Sequence, residues 1–234
     1  VTAKDGYPLA AIKYSAKKPK ANIILAGATG VPQAFYRRFS EYVVTQGYNV
    51  ITFDYRGIGR SKPTDFKNFD SNFLEWATLD LAAVVDIVAD DLPLFMVGHS
   101  FGGHAFGLLP NHHKVKCIYI FGTGAGWHGH MPKTEAVKIK VLWELVLPTL
   151  AQWKGYIPMS LIGMGEDLPY GVYQQWKRWC KFPHYFFDDP QVPEIAEQFT
   201  KVTTPIIAAN ALDDLWAMPK SRNAFMQGYK NADV

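Results

Sequence analysis

The residues of this chain best suited to covalent chemistry lie in Gly98-His99-Ser100-Phe101-Gly102, a G-x-S-x-G run at the end of the apolar stretch Leu94-Phe95-Met96-Val97. A serine hydroxyl becomes a useful nucleophile when a base takes its proton and fixed donors receive the charge developing on the attacked carbonyl. G-x-S-x-G provides for this where a strand turns abruptly into a helix. The serine at the apex then has a strained backbone, and the residues two positions away must lack bulk. Gly98 and Gly102 meet that demand, Pro93 opens a run of strand length, and Gly103 to Leu109 read as helix. The alternative, a glycine-rich turn with a surface serine, does not account for this strand-turn-helix setting. Ser100 is therefore the candidate nucleophile. The Phe101 N–H, at the start of the helix, is the candidate oxyanion donor. The chemistry is acyl transfer.

The elements that must position this apex are legible as alternating apolar strands and amphipathic helices. Asp5-Gly6 reads as a turn and Pro8 to Tyr14 as a short edge strand. Ala21 to Leu25 is a buried-strand run leading into Ala26-Gly27-Ala28-Thr29-Gly30, a small-residue loop that admits close backbone approach and gives a second oxyanion element at Ala28 or Thr29. The pattern predicts a helix from Pro32 to Gly47 with Phe35, Phe39, Tyr42 and Val43 on its apolar face, then a strand over Tyr48 to Phe53. Leu74, Ala77, Leu81, Val84, Val85 and Val88 recur at helical spacing, and Val115 to Phe121 is another buried strand. Such alternation implies a mostly parallel sheet with helices on both faces.

From Gly122 to about Pro190 the alternation stops, and Trp127, Trp143, Trp153, Trp176 and Trp179 accumulate among scattered prolines. Pro132 to Leu147 and Tyr170 to Lys181 read as helices of an inserted cap over the sheet's carboxyl edge. The expected division is a core of 1–122 and 191–234 with a cap insertion of 123–190. Pro193 to Lys201 leads back to the core, and Pro205 to Ala209 is the last visible strand.

Composition narrows the function classes. With 234 residues, 48% hydrophobic and 19% charged, the chain can bury one sizeable core. A net charge of +3 is too small to suggest nucleic acid, and Lys17-Lys18-Pro19-Lys20 reads as a solvated turn. Cys117 and Cys180 are far apart, without metal or redox spacing, and are expected to be reduced thiols, Cys117 as a small buried hydrophobe. His128 and His130 alone make no metal site and fit a flexible cap entrance. No apolar run approaches the roughly eighteen residues of a membrane span and no signal peptide opens the chain, so a cytoplasmic location is expected.

The motifs ATGVP, FYRRFS, DYRGIGRS, VGHSFGGH and LDDLWAMP together resemble the α/β-hydrolase superfamily, and within it bacterial hydrolases described as serine aminopeptidase-like. The resemblance spans nearly the whole chain. It implies an α/β-hydrolase fold and a triad in the order Ser, acid, His, with His99 and the glycines Gly98 and Gly102 belonging to the elbow. Asp214 best matches the acid's position, with Asp213 the neighbouring alternative and a turn role before the helix from Pro219 the other use of this pair. The oxyanion donors would be Phe101 and Thr29, with Ala28 as the alternative to Thr29. Family members carry the histidine after a last strand. Here His99, His104, His112, His113, His128, His130 and His184 all precede Asp214. The expectation is that the native chain continues past Val234 with that strand, a His-bearing loop and a closing helix.

The resulting functional expectation is a serine hydrolase without metal or cofactor, acting on an apolar acyl substrate, such as a carboxylic ester, through a Ser100 acyl-enzyme. Tyr55, Arg56 and the cap tryptophans are expected to shape its pocket, Arg56 with a structural loop role as its alternative. Two other readings compete. An aminopeptidase would use Glu166-Asp167 to receive a substrate ammonium group, and a non-catalytic protein of the same fold would only bind an apolar ligand.

Overall fold

The computed structural model describes residues 1–89 and 91–234. Its strands β1 (Ala11–Tyr14), β2 (Asn22–Ala26), β3 (Asn49–Phe53), β4 (Leu94–His99), β5 (Ile118–Phe121) and β6 (Ile206–Ala209) form one sheet among the described residues, in the order β1-β3-β2-β4-β5-β6. β1 pairs antiparallel to β3, with Ala11 opposite Phe53, and all other pairings are parallel. This is the mostly parallel sheet that the alternating pattern implies. From β2 the chain moves outward to β3 on one side, then returns to place β4 on the other. The loops leaving the carboxyl ends of β2 and β4 therefore diverge and leave a crevice between them, where ligands bind in open parallel sheets. The small-residue loop and the serine elbow are those two loops.

One sheet face is fully dressed. Ile24, Ile51, Met96, Ile118, Ile120 and Ile206 point into a core shared with a long helix and with α4 (Phe101–Phe106). That long helix comprises α2 (Phe73–Glu75), a π-helical stretch over Trp76–Leu81, and α3 (Ala82–Val88). Ala77, Leu81, Val84, Val85 and Val88 are all buried, as their spacing predicts.

The other face carries α1 (Arg37–Thr45), where only part of the expected apolar stripe is covered: Val43 packs on the cluster of Leu25, Tyr36 and Val50. Phe35, Phe39 and Tyr42 are 70%, 41% and 63% exposed, while Gln33, Tyr36 and Ser40 turn inward. Phe35 and Phe39 nevertheless line an apolar groove with Leu25, Val97 and Phe121, so they border this sheet face but are left uncovered there. Gln33 is drawn in because its N–H and its amide bond the two oxygens of buried Asp54 at 2.7 and 2.8 Å. On the same face Tyr119 and Ile207 are 42% and 54% exposed.

The residues expected to shape a pocket mostly do other work. Tyr55 is buried and stacks on Trp76, and Arg56 is buried in a cluster with Asp80 and Asp5. Burial outweighs the bonds from Arg56 and leaves the Asp80 carboxyl raised to about 6. Arg56 thus joins the amino-terminal turn, β3's loop and the long helix.

Between β5 and β6 stand α5 (Lys133–Val141), which runs through a π-helical stretch over Leu142–Val146 into α6 (Leu147–Lys154), then α7 (Tyr170–Trp179) and α8 (Glu194–Thr200). Trp179 is buried among aromatic rings and Trp143 is buried against Tyr173 and Trp176, whereas Trp153 is 70% exposed. Gln175 on α7 accepts the Phe73 N–H at 2.8 Å, capping the start of α2. Both cysteines are free thiols. Cys117 is half-buried just before β5, not enclosed, because the sheet face it edges is incompletely covered; Cys180 is buried. A final helix, α9 (Pro219–Met226), follows the loop after β6, with Phe225 in the core. No described helix is long and apolar enough to cross a membrane.

Candidate active site

Ser100 sits between β4 and α4 with φ 51° and ψ −110°, a conformation that L-residues rarely adopt. Its backbone is pinned on both sides. The Ser100 N–H donates to the Phe121 carbonyl at 2.9 Å, and its carbonyl accepts from Thr123 Oγ1 at 2.8 Å and from the Gly103 N–H at 2.9 Å. A Cβ on Gly98 would lie 2.8 Å from the Gly102 carbonyl, and one on Gly102 would overlap the Ala26 carbonyl. Both glycines are required because the elbow packs backbone on backbone, with β2 directly beneath. As the first residues of α4, Phe101 and Gly102 have N–H groups with no helical carbonyl to receive them.

The small-residue loop lies across the crevice. The Ala28 N–H is taken by the Tyr36 hydroxyl at 2.9 Å, and that hydroxyl also bonds His99 Nδ1 at 2.9 Å. Of the two residues weighed as second oxyanion donor, Ala28 thus has its N–H engaged, and Thr29 is half-buried. Nothing in the sequence signalled the link from Tyr36 to His99; its only trace is the tyrosine of FYRRFS. Burial raises the Tyr36 hydroxyl to about 12, so it stays a neutral donor and acceptor. Tyr36→Phe strands the Ala28 N–H and is expected to destabilise the fold by about 1–3 kcal/mol, read from urea midpoints.

Asp214 stands in the loop after β6. Its Oδ1 accepts the N–H groups of Trp216 and Ala217, both at 2.9 Å, while Oδ2 faces Gly122 beside the His99 ring. Asp213 is exposed and Asp214 half-buried, which favours Asp214 as an orienting carboxylate. The histidines of the described residues have other occupations. His99 stacks on Phe121, and its pKa is lowered by burial, with Asp214 pulling it back up. His130 Nε2 bonds the Pro183 carbonyl at 3.0 Å, and no described group of three or more His, Cys, Asp and Glu could hold a metal ion.

His104 is buried on α4, where Nε2 bonds the Gly124 carbonyl at 2.8 Å and the ring stacks on Tyr185. Burial drives its pKa down to about 4. The unfolded imidazole titrates near ~6.5, so between those values the unfolded chain binds more protons and stability falls as pH drops. Urea midpoints between pH 7 and pH 4.5 are expected to reveal a loss on the order of 2–3 kcal/mol attributable to His104. His104→Gln should flatten that slope; an unchanged slope would show that other groups cause it.

Glu166, which the aminopeptidase reading would turn toward a substrate ammonium group, is a fastening. Glu166 Oε2 accepts the Gly59 N–H at 2.6 Å, and its own N–H donates to the Gly30 carbonyl at 2.8 Å. Asp167 accepts from the Ser160 hydroxyl at 2.6 Å.

With this arrangement in view, comparison with known proteins is informative. The model of the family described as serine aminopeptidase, S33, matches residues 17–164, more than half of the chain. The chain belongs to that family. The match includes the small-residue loop and the elbow but ends before Asp214, so the acid's assignment rests on position and geometry. The chain is 23% identical to a monoglyceride lipase of Saccharomyces cerevisiae, over 99% of this chain and 79% of the relative. Among solved structures it is similar to a soluble variant of monoglyceride lipase from S. cerevisiae, in complex with a substrate analog. That likeness has a TM-score of 0.70 at 16% identity and covers 96% of this chain and 80% of the other. It is also similar to an enol-lactonase from Burkholderia xenovorans LB400, with a TM-score of 0.57 at 15% identity, covering 96% and 86% of the two chains. The fold of this serine aminopeptidase, S33 family member is that of the α/β-hydrolases.

Proposed function

We propose that this protein is a serine hydrolase that cleaves esters of apolar carboxylic acids through an acyl-enzyme on Ser100. The observation that carries the reading is the strained Ser100 backbone at the head of α4, facing a crevice whose opposite lip is the Ala28-Thr29 loop. In this mechanism the Ser100 oxygen adds to the ester carbonyl while an imidazole takes its proton. The oxyanion is held by the N–H groups of Phe101 and Thr29. The intermediate collapses by expelling the alcohol, which receives the proton; water repeats the sequence on the acyl-enzyme and releases the acid. Asp214 Oδ2 is the group assigned to orient the imidazole and stabilise its charged form. We further assign residues 123–190 as a cap on a core of 1–122 and 191–234, a division supported by the Gln175 and Glu166 bonds that seat this segment on the core.

An ester is preferred to a peptide because Glu166 and Asp167, the carboxylates an aminopeptidase would offer to a substrate ammonium group, bond Gly59 and Ser160 instead. The monoglyceride lipase relative acts on a substrate of the preferred class. The test is intact-mass detection of a fluorophosphonate adduct on the full-length protein, paired with turnover of p-nitrophenyl acyl esters and aminoacyl p-nitroanilides. The expected outcome is an adduct on the Ser100 peptide and turnover of esters alone. Cleavage of anilides would establish the peptidase reading. Ligand binding with neither adduct nor turnover would establish a non-catalytic binding protein.

A further inference from the structure

Between α5, the π-helical stretch that follows it, and α7 lies a groove of about 420 Å³, within the roughly 300–1,000 Å³ typical of small-molecule sites. Its walls are Ile139, Val141, Trp143 and Leu145, with Gly126 and buried Cys180 also lining it. Val141 and Leu145, four residues apart on one helix face, are 49% and 64% exposed, so this apolar wall is open to water. At about 30 Å³ for a small group in a liquid, the groove has room for roughly a dozen carbon atoms.

Its charge is one-sided. Lys140, Lys177 and Lys181 line it against the single carboxylate of Glu144. Glu144 is matched by Lys177 at 2.8 Å, and neither Lys140 nor Lys181 forms an ion pair among the described residues. His128, also on the lining, is held toward its neutral form by burial and by Lys140. Burial pushes the Cys180 thiol up to about 12, so this part of the lining adds no negative charge. The groove is thus an apolar trough with two uncompensated cations, which complement an anion attached to a hydrocarbon chain.

We propose that this groove binds a single-chain anionic amphiphile, its chain against Ile139, Trp143 and Leu145 and its carboxylate or phosphate head between Lys140 and Lys181. None of its lining residues is one assigned to the Ser100 site, and its occupancy is readable without hydrolysis.

The test is isothermal titration of the full-length Ser100→Ala protein with decanoate, decyl phosphate and decanol, each below its aggregation threshold. The anions are expected to bind at least tenfold more tightly than decanol, and whichever binds better identifies the head group. The double variant Lys140→Gln, Lys181→Gln should remove that advantage while leaving decanol unchanged, and the double Lys→Arg variant should retain it. Equal affinity for decanoate and decanol would overturn the proposal. So would a double Gln variant that binds the anions like the parent. Binding to anionic vesicles with no response to either monomeric anion would replace it with docking on a lipid surface.

Discussion

Ser100→Ala is expected to abolish the fluorophosphonate adduct and lower ester turnover by roughly 10⁴ to 10⁶, because nucleophile and base act as one unit and the residual catalysis comes from binding and the oxyanion donors. The informative companion is Ser100→Gly. A backbone at φ 51° and ψ −110° costs a non-glycine residue about 1–3 kcal/mol, and alanine retains that cost whereas glycine does not. Glycine gives back part of the gain through the added freedom of the unfolded chain. Ser100→Gly should therefore be the more stable of two equally inactive proteins, by about 1 kcal/mol in urea titration. If alanine and glycine unfold at the same midpoint, the elbow is not a store of strain, and its shape must be explained by the bonds to Phe121 and Thr123 alone.

Gly102→Ala carries the second large effect, on stability. The new methyl would stand on the Ala26 carbonyl, well inside the 3.0 Å that real Cβ atoms keep from their neighbours. Neither partner can yield: Ala26 is the last residue of β2, paired to β4 through Gly98, and Gly102 is in the first turn of α4. The helix must lift off the sheet, and a loss of at least about 3 kcal/mol is expected. Gly6→Ala is the control. Gly6 has a positive φ, +88°, which Gly102 does not, yet its Cβ would meet nothing within 4 Å. Its substitution should cost only the conformational penalty, about 1 kcal/mol. A loss at Gly102→Ala no larger than that at Gly6→Ala would mean that the close approach to β2 is not what makes Gly102 necessary. Fluorophosphonate labelling of Gly102→Ala should fall as well, since Phe101 and Ser100 move with the helix.

What the sequence revealed and what it hid follow one physical division. Periodicity reports which side of an element is apolar, so the β2, β3 and β4 strands and the helix containing Ala77, Leu81, Val84, Val85 and Val88 were legible. It does not report whether that side is covered, which is why Phe35 and Phe39 border the sheet face beside Leu25 and Val97 and are still exposed. The elbow was legible because its steric demands fall within five consecutive residues. Polar partnerships between distant positions leave no such local trace. Tyr36 meets His99 across 63 positions, Arg56 meets Asp5 across 51, and Gly59 meets Glu166 across 107. Arg56 and Glu166 each looked suited to a substrate when read alone, and each proved to be held by a partner that only the folded chain supplies.

The Glu166 fastening also sets how the crevice breathes. The 157–168 stretch is tied to the small-residue loop through Gly30 and to the β3 loop through Gly59. Detaching it breaks one hydrogen bond between backbone groups and one to a charged carboxylate, together about 2–4 kcal/mol. The detached form is then a minority of roughly one molecule in thirty to one in a thousand at 25 °C. Traffic of reactant and product past this edge is consequently rare in the resting protein.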